Sequence, residues 1–276
     1  MTSKGHDMLD DKRILITGAA QGMGREIALE AARQGAAHVG IADRDVEGLR
    51  TLAVEIESIG ARVAELEVDL ARGAQVTAMV DDFARQAGGM DTLVNNAGVL
   101  DHVFTDPDRV RVHELEETAW DAVMDINLKA VWLAIKAAAP HLMESSRGPS
   151  VVNAASVAGM NGSPMTAYSV SKAAVLQLTR TAAVGLAPHV RVNAFSPGSI
   201  RTPMSQSHLD AADDKVARAR AMYGTHLLPR FGEVEEIAAA VCFLASDAAS
   251  FITGANLPVD GGTTAWRGVR DDVEVD

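Results

Sequence analysis

The chain has 276 residues, 47% of them apolar and only 4% aromatic, with 23 glycines and a net charge of −12. Those values exclude a disordered or fibrous chain and fit one large core of Ala, Val, Ile and Leu. The acidic balance argues against a nucleic acid or an anionic membrane surface as main partner.

The single cysteine, Cys242, cannot form an internal disulfide, and its setting (IAAAVCFLA) reads as a buried structural thiol. The eight histidines are scattered, so no metal site is expected. The first 13 residues lack the apolar centre of a signal peptide. No run reaches the ~18 uncharged apolar residues of a membrane helix, since AVWLAIKAAAP is broken by Lys136 and Pro140. A cytoplasmic setting is the expectation.

From the N-terminus, RILIT (13–17) reads as a buried parallel strand. GAAQGMG comes next, and then a helical pattern closed by Gly35. Strand, glycine turn and helix form the context of a phosphate site. Glycine lets the backbone come close to a ligand, and the helix N-terminus offers unpaired N–H groups and partial positive charge. The spacing Gly18, Gly22, Gly24 predicts a dinucleotide contact from this turn, though a plain tight turn has the same look.

The second strand, HVGIAD (38–43), ends in Asp43, 19 residues after Gly24. An acid at that distance can accept from ribose hydroxyls and repels a 2′-phosphate, which favours NAD over NADP. Arg44 beside it could serve a phosphate instead, whereas Gln21 adds no second cation. Asp43 can equally be a strand-end turn residue. A helix (46–60) then leads to the strand RVAELEVDL, ending in Asp69 and Leu70 where an adenine would lie. Asp69 is also a candidate N-cap for the segment after it.

A fourth unit runs from the helix GAQVTAMVDDFARQAG into the strand MDTLVNNAG. The amides of Asn95 and Asn96, before Ala97 and Gly98, can bond backbone or cofactor. Strands alternate with helices, so the expected fold is α/β: one Rossmann-type domain with a doubly wound parallel sheet. The carboxyl ends of its strands should line one crevice.

Residues 99–118 read as a polar loop over that crevice, with His102 and His113 as solvated loop histidines. A long amphipathic helix (119–145) carries Asn127 in its interior, a poor helix former there. It either faces the crevice or marks a kink or interhelical contact.

The strand SVVNAAS (150–156) delivers Ser156, and the helix TAYSVSKAAVLQLTRTAAVGLA carries Tyr168 and Lys172. Four residues apart on a helix means one face, with Cβ atoms about 5–6 Å apart. An ammonium favours a phenolate and lowers a tyrosine pKa toward neutrality, where the phenol can take or give a proton. The same spacing also occurs with a surface tyrosine and a solvated lysine. The strand VRVNAFSPG then runs into PGSIRTPM, residues 204–228 read as an inserted helical flap, and EVEEIAAAVCFLAS as a helix. ANLPVD is the last strand, and the polar tail 263–276 should lie on the surface.

From Lys12 to Gly262 the chain resembles the short-chain dehydrogenase/reductase family, in its single-domain type of roughly 250 residues. The motifs that carry the resemblance are TGAAQGMG (17–24), Asp69-Leu70, NNAG (95–98), Asn127, Ser156, YSVSK (168–172) and PGSIRTPM (197–204), with ASFITGANLPVDGG late in the chain. The resemblance implies Tyr168 as general acid/base, with Lys172 lowering its pKa and bonding the nicotinamide ribose. It also implies Ser156 on the substrate oxygen and Asn127 holding a relay water. Cofactor contacts are implied for Gly18, Gln21, Gly22, Met23, Gly24, Asp43, Arg44, Asp69, Leu70, Asn96, Gly98, Tyr168, Lys172, Ile200 and Thr202. It implies a homotetramer packed on the helices carrying Asn127 and Tyr168.

Departures are few. NAAS stands where many relatives have NISS, the loop 99–118 is longer than usual, and the tail extends past DGG. The expected activity is NAD-dependent interconversion of a secondary alcohol and a ketone, on a small, cyclic or apolar substrate. Candidate pocket residues are Met160, Met165, Met204 and Leu209. The alternatives are a 3-oxoacyl-(acyl-carrier-protein) reductase using NADPH and a non-catalytic NAD sensor. The full set Asn127, Ser156, Tyr168 and Lys172 argues against the sensor.

Overall fold

Short runs of four to seven residues, apolar in most strands and alternating in the RVAELE strand, supply one sheet. The computed structural model describes residues 7–210 and 212–269. Its strands are β1 (Arg13–Thr17), β2 (His38–Asp43), β3 (Arg62–Glu67), β4 (Thr92–Asn95), β5 (Ser150–Ala154), β6 (Arg191–Pro197) and β7 (Asn256–Val259). They lie in the order β3-β2-β1-β4-β5-β6-β7, and every neighbouring pair is parallel.

The helices are α1 (Gly22–Arg33), α2 (Val46–Ile59), α3 (Gly73–Ala87), α4 (Glu117–Met124), α5 (Ala130–Met143), α6 (Thr166–Leu186), α7 (Pro203–Asp210), α8 (Lys215–Tyr223) and α9 (Val234–Ala245). Side chains alternate across a strand, so β1 feeds two cores. Ile14 and Ile16 pack with residues of α1, α2 and α9, whereas Leu15 packs with residues of α3, α5 and α6. That is the three-layer, doubly wound arrangement. Chain order reverses between β1 and β4, so the crevice opens where their carboxyl ends diverge.

Some boundaries differ from expectation. β3 stops at Glu67; one further bond, Val68 N–H to the Asp43 carbonyl at 3.0 Å, closes the ladder, and Asp69 and Leu70 lie in a turn beyond it. The expected helix 119–145 is two helices, α4 and α5, joined by a π-helical turn at Asp125–Lys129. Asn127 sits inside that turn, and its side chain bonds groups outside the helix, which accounts for the widened turn. Helix α1 starts at Gly22, inside the glycine turn rather than after it.

In the expected flap, Leu209, Ala219 and Tyr223 form a small core with Phe231, which follows it. Leu209 is therefore packed inward rather than free to line a pocket. Ala211 lies outside the described residues, as do the side chain of Met204 and the tail end 270–276. The described part of the tail is tied down, because the Trp266 indole N–H donates to the Thr225 carbonyl. Among the described residues no helix is long and apolar enough to cross a membrane, and no group of three or more His, Cys, Asp or Glu is placed to hold a metal ion. Cys242 is buried, and burial pushes its thiol pKa up.

Candidate active site

The glycine turn is built by close approach. A Cβ on Gly24 would stand 2.0 Å from the Gly18 carbonyl oxygen and 2.5 Å from the Asn96 amide nitrogen. Gly22 holds φ +57, in the left-handed region where L side chains are strained. Gln21 caps α1 without a side-chain hydrogen bond, and no acidic residue stands in the first turn. The N–H groups of Gly22, Met23 and Gly24 therefore face the crevice end of the sheet with no side-chain competitor.

Asp43 is half-buried. Its Oδ2 accepts from the Ala20 N–H at 3.1 Å, and its Oδ1 accepts from the N–H groups of Arg44 (2.7 Å) and Asp45 (3.1 Å). Both the turn role and spare acceptor capacity are thus present, since a carboxylate has about four acceptor sites. The Arg44 side chain beside it is exposed. Asp69 is a turn residue rather than the N-cap of the helix after it, which is Arg72: its Oδ1 accepts from Ala71 N–H at 3.1 Å and its Oδ2 pairs with Arg72.

Asn95 turns inward, donating to Asn153 Oδ1 at 2.9 Å within the sheet. Asn96 staples the turn: its Nδ2 donates to the carbonyls of Thr17 (3.1 Å) and Gly18 (3.2 Å), while its Oδ1 is buried without a partner. Beyond β6, Ile200 is buried, and Thr202 shares hydrogen bonds with Ser205. The Thr202 methyl would lie 3.6 Å from a Cβ on Gly22, so PGSIRTPM closes over the glycine turn.

Ser156, Tyr168 and Lys172 meet at the carboxyl end of β5. Lys172 is 4% exposed and donates to the Ala154 carbonyl at 2.7 Å. Its ammonium lies 5.8 Å from the centre of the Tyr168 ring. Burial pulls the Lys172 pKa down to about 8. Tyr168 is half-buried. That burial raises the phenol pKa, and a hydrogen bond with Ser156 works against the rise. Burial is the larger effect, so the lowering expected from Lys172 does not dominate in the chain itself. Ser156 is 7% exposed, with its Oγ accepting from Ala158 N–H at 3.1 Å.

Asn127 is fully buried behind this group. Its Oδ1 accepts from Val99 N–H at 2.8 Å; its Nδ2 donates to the Val99 carbonyl at 2.9 Å and to Ser171 Oγ at 3.1 Å. A Cβ on Gly98 would stand 3.2 Å from Lys172 Nζ and 3.5 Å from Asn127 Oδ1, so NNAG, Asn127 and Lys172 share one pocket wall.

Two polar residues of this region carry no signal in the sequence. Asp101 is fully buried and accepts from the N–H groups of Ala167 and Tyr168 at the start of α6. Buried His226 accepts from Ser199 N–H at Nε2 (3.2 Å), and Nδ1 bonds the Arg230 carbonyl at 2.8 Å. It holds the turn before Ile200, and burial lowers its pKa. Neither residue stands in a recognisable motif. His113 is exposed at the loop surface, and His102 is half-buried.

The site suits a nicotinamide dinucleotide on structural grounds. The α1 N-terminus presents unpaired N–H groups to an anion, the Asn96 Oδ1 is an orphaned buried acceptor, and the Lys172 ammonium has donors beyond its bond to Ala154.

A family model described as Enoyl-(Acyl carrier protein) reductase matches residues 18–264. Cyclopentanol dehydrogenase of Comamonas testosteroni is 38% identical over 259 residues, covering 93% of this chain and 98% of that protein. The chain belongs to the short-chain dehydrogenase/reductase family. Another relative, 3-oxoacyl-(acyl-carrier-protein) reductase FabG of Thermotoga maritima, is 37% identical, covering 92% of this chain and 98% of that protein. Among solved structures, a putative short-chain alcohol dehydrogenase from Sinorhizobium meliloti superposes with TM-score 0.84 at 33% identity, over 95% of this chain and all of that one. A short chain dehydrogenase from Burkholderia cenocepacia in complex with NADP gives 0.82 at 32% identity, over 93% and 99%. As a short-chain dehydrogenase/reductase, the chain is an oxidoreductase that binds a nicotinamide cofactor. Of the expected pocket residues in this family member, Met160 is exposed just past Ser156 and Met165 opens α6.

Proposed function

We propose that this chain is an NAD-dependent dehydrogenase interconverting a secondary alcohol and a ketone. The observation that carries the proposal is Tyr168, with Lys172 on the same face of α6 and Ser156 in hydrogen-bonding reach. When bound, the nicotinamide supplies hydride transfer. Tyr168 as phenolate accepts the hydroxyl proton of an alcohol, and as phenol returns it to a ketone oxygen. Ser156 orients the substrate oxygen by hydrogen bonding. Lys172 favours the phenolate as charge develops and offers its remaining N–H donors to a ribose. Asn127 supports this group through Val99 and Ser171. Acid/base help of this kind contributes typically 10²–10⁴-fold.

Asp43 supports NAD: a 2′-phosphate there would face a carboxylate already fixed by three backbone N–H groups. Gly18, Gln21, Gly22, Met23, Gly24, Asp69, Leu70, Asn96, Gly98, Ile200 and Thr202 form the remaining cofactor wall in this reading. An alicyclic alcohol is the substrate class, in keeping with the cyclopentanol relative. A homotetramer is proposed on α5 and α6, where Trp132 of α5 and Leu178 of α6, with Met124, Asp125, Leu128 and Lys129 before α5, line a cavity of about 440 Å³ and Trp132 is exposed. The cytoplasm is the proposed location.

The second reading is a 3-oxoacyl-(acyl-carrier-protein) reductase using NADPH. The exposed Arg44 favours it, together with the FabG relative and the NADP-bound neighbour. Purified enzyme assayed with NAD and NADP against cyclic secondary alcohols, and with NADH and NADPH against an oxoacyl thioester, separates the two. Reduction of NAD by a cyclic alcohol is expected. Thioester reduction that strongly prefers NADPH would overturn the proposal.

A further inference from the structure

We propose that Asp101 is a positioning residue for Tyr168, and that the loop after β4 holds the tyrosine by clamping its peptide unit from both ends. This rests on the reading of Tyr168 as the proton-transfer group.

The first turn of a helix has N–H groups without intrahelical partners. Helix α6 lacks the usual remedy, since its N-cap is Met165, with no side-chain hydrogen bond. The loop supplies all three missing acceptors. Thr166 N–H donates to the Val110 carbonyl at 3.2 Å, Ala167 N–H to Asp101 Oδ2 at 3.0 Å and Tyr168 N–H to Asp101 Oδ1 at 2.7 Å. Asp101 is 0% exposed, and a carboxylate that deep persists only when well bonded. Its charge also suits the positive end of the helix.

The other end of the tyrosine is held too. Ser171 Oγ donates to the Tyr168 carbonyl at 2.7 Å and accepts from Asn127 Nδ2 at 3.1 Å, while Asn127 grips Val99. The segment 99–101 therefore reaches Tyr168 by two routes, directly through Asp101 and indirectly through Asn127 and Ser171. A helical side chain leans toward the N-terminus, so the phenol lies over the turn that Asp101 secures. Proton transfer needs heavy atoms within about 2.6–3.2 Å, and a misplacement of about 1 Å can cost 10²-fold. A first turn free to fray would move the phenol on that scale.

The test compares Asp101→Ala, Asp101→Asn and Ser171→Ala with wild type, using the alcohol that serves wild type. For each variant one measures the thermal midpoint, cofactor affinity by NADH fluorescence, kcat and KM. Asp101→Ala is expected to lose roughly 10- to 100-fold in kcat, with KM and cofactor dissociation constant within about threefold. Asp101→Asn keeps one acceptor oxygen and should recover part of that loss; it also serves if the alanine variant does not fold. Ser171→Ala should lower kcat several-fold. Three results overturn the inference: wild-type kcat in folded Asp101→Ala, no recovery in Asp101→Asn, or cofactor affinity falling in step with kcat, which marks general loop collapse. Tyr168→Phe is run alongside. Turnover in that variant would strike the reading of Tyr168 itself, whereas an inactive Tyr168→Phe beside a fully active Asp101→Ala refutes the clamp alone.

Discussion

Asn127 and Val99 exchange two hydrogen bonds, at 2.8 and 2.9 Å, as two strands would, although one partner is a side chain. The pair joins the π-helical turn to the loop leaving β4. Asn127→Ala removes both bonds and the one to Ser171, leaving groups in a partly buried place to find water. The expected loss is about 1–3 kcal/mol, read from urea unfolding curves. Stability within about 0.5 kcal/mol of wild type would place the residue among ordinary surface substitutions.

On the proposed mechanism, the pH dependence of turnover follows from Tyr168. Burial penalises the charged form, so the phenolate is favoured only at higher pH than for a free phenol. Oxidation needs the phenolate, so kcat/KM for the alcohol should climb as pH rises through the alkaline range. Reduction needs the phenol and should stay level through neutral pH, falling only at high pH. Profiles of kcat/KM in both directions report this group. An oxidation profile flat from about pH 6 to 10 would count against Tyr168 as the base, on the proposed mechanism.

The layered sheet was legible because its causes are local. A run such as RILIT is buried on both faces, and an amphipathic helix shows its own period. The glycine turn was legible for the same reason, since Gly18 to Gly24 act within one turn. Asp101 was not, because its partners Ala167 and Tyr168 lie 66 and 67 positions away and no cap signature precedes α6. Asn127 stood out as a misfit, yet the π-helical turn could not be foreseen, because Val99 and Ser171 come together only in the folded chain. The tyrosine–lysine pair was visible as a face of a helix. The sign of the balance at Tyr168 was not, since burial is a property of the whole packed site.

Lys172 should couple stability to alkaline pH. Its pKa in the fold is about 8, below the ordinary 10.5. Between those values the unfolded chain binds more protons at this group than the native one. Stability contributed by this group therefore rises with pH across that window, by roughly 3 kcal/mol at most. Below about pH 8 the buried ammonium carries its full desolvation penalty. Lys172→Met removes the titration, so the stability of wild type relative to this variant should increase between about pH 8 and 10. Urea unfolding at about pH 7.5, 9 and 10 measures it, and a constant difference would contradict the assignment.

Gly22 and Gly24 separate two uses of glycine. Gly22 has φ +57 but open space, with its nearest neighbour, the Thr202 methyl, at 3.6 Å. Gly22→Ala should cost about 1–2 kcal/mol, the strain of a left-handed residue. Gly24 has an ordinary backbone, but a Cβ there meets the Gly18 carbonyl oxygen at 2.0 Å, which neither backbone can yield without opening the turn. Gly24→Ala should therefore damage the turn more, with stability falling by about 3 kcal/mol or beyond and NADH affinity at least about tenfold. Fluorescence titration and unfolding of both variants give the ranking; equal effects would mean the turn relaxes freely.

In the proposed reading, coenzyme choice turns on Asp43 and its neighbour Arg44. The carboxylate is oriented by the N–H groups of Ala20, Arg44 and Asp45, so it cannot swing away from an incoming 2′-phosphate. Asp43→Ser removes the repelling charge, keeps a hydroxyl for one backbone N–H and lets the exposed Arg44 meet the phosphate. The ratio of kcat/KM for NADP to that for NAD should rise at least about tenfold, or about 1.4 kcal/mol. Arg44→Ala in the same background should reverse most of that gain, because the attraction to the phosphate then goes as well. Steady-state assays of wild type, single and double variants with both coenzymes provide the comparison. If Asp43→Ser leaves the ratio unchanged, the carboxylate is a turn residue only, and selectivity must come from elsewhere on the crevice wall.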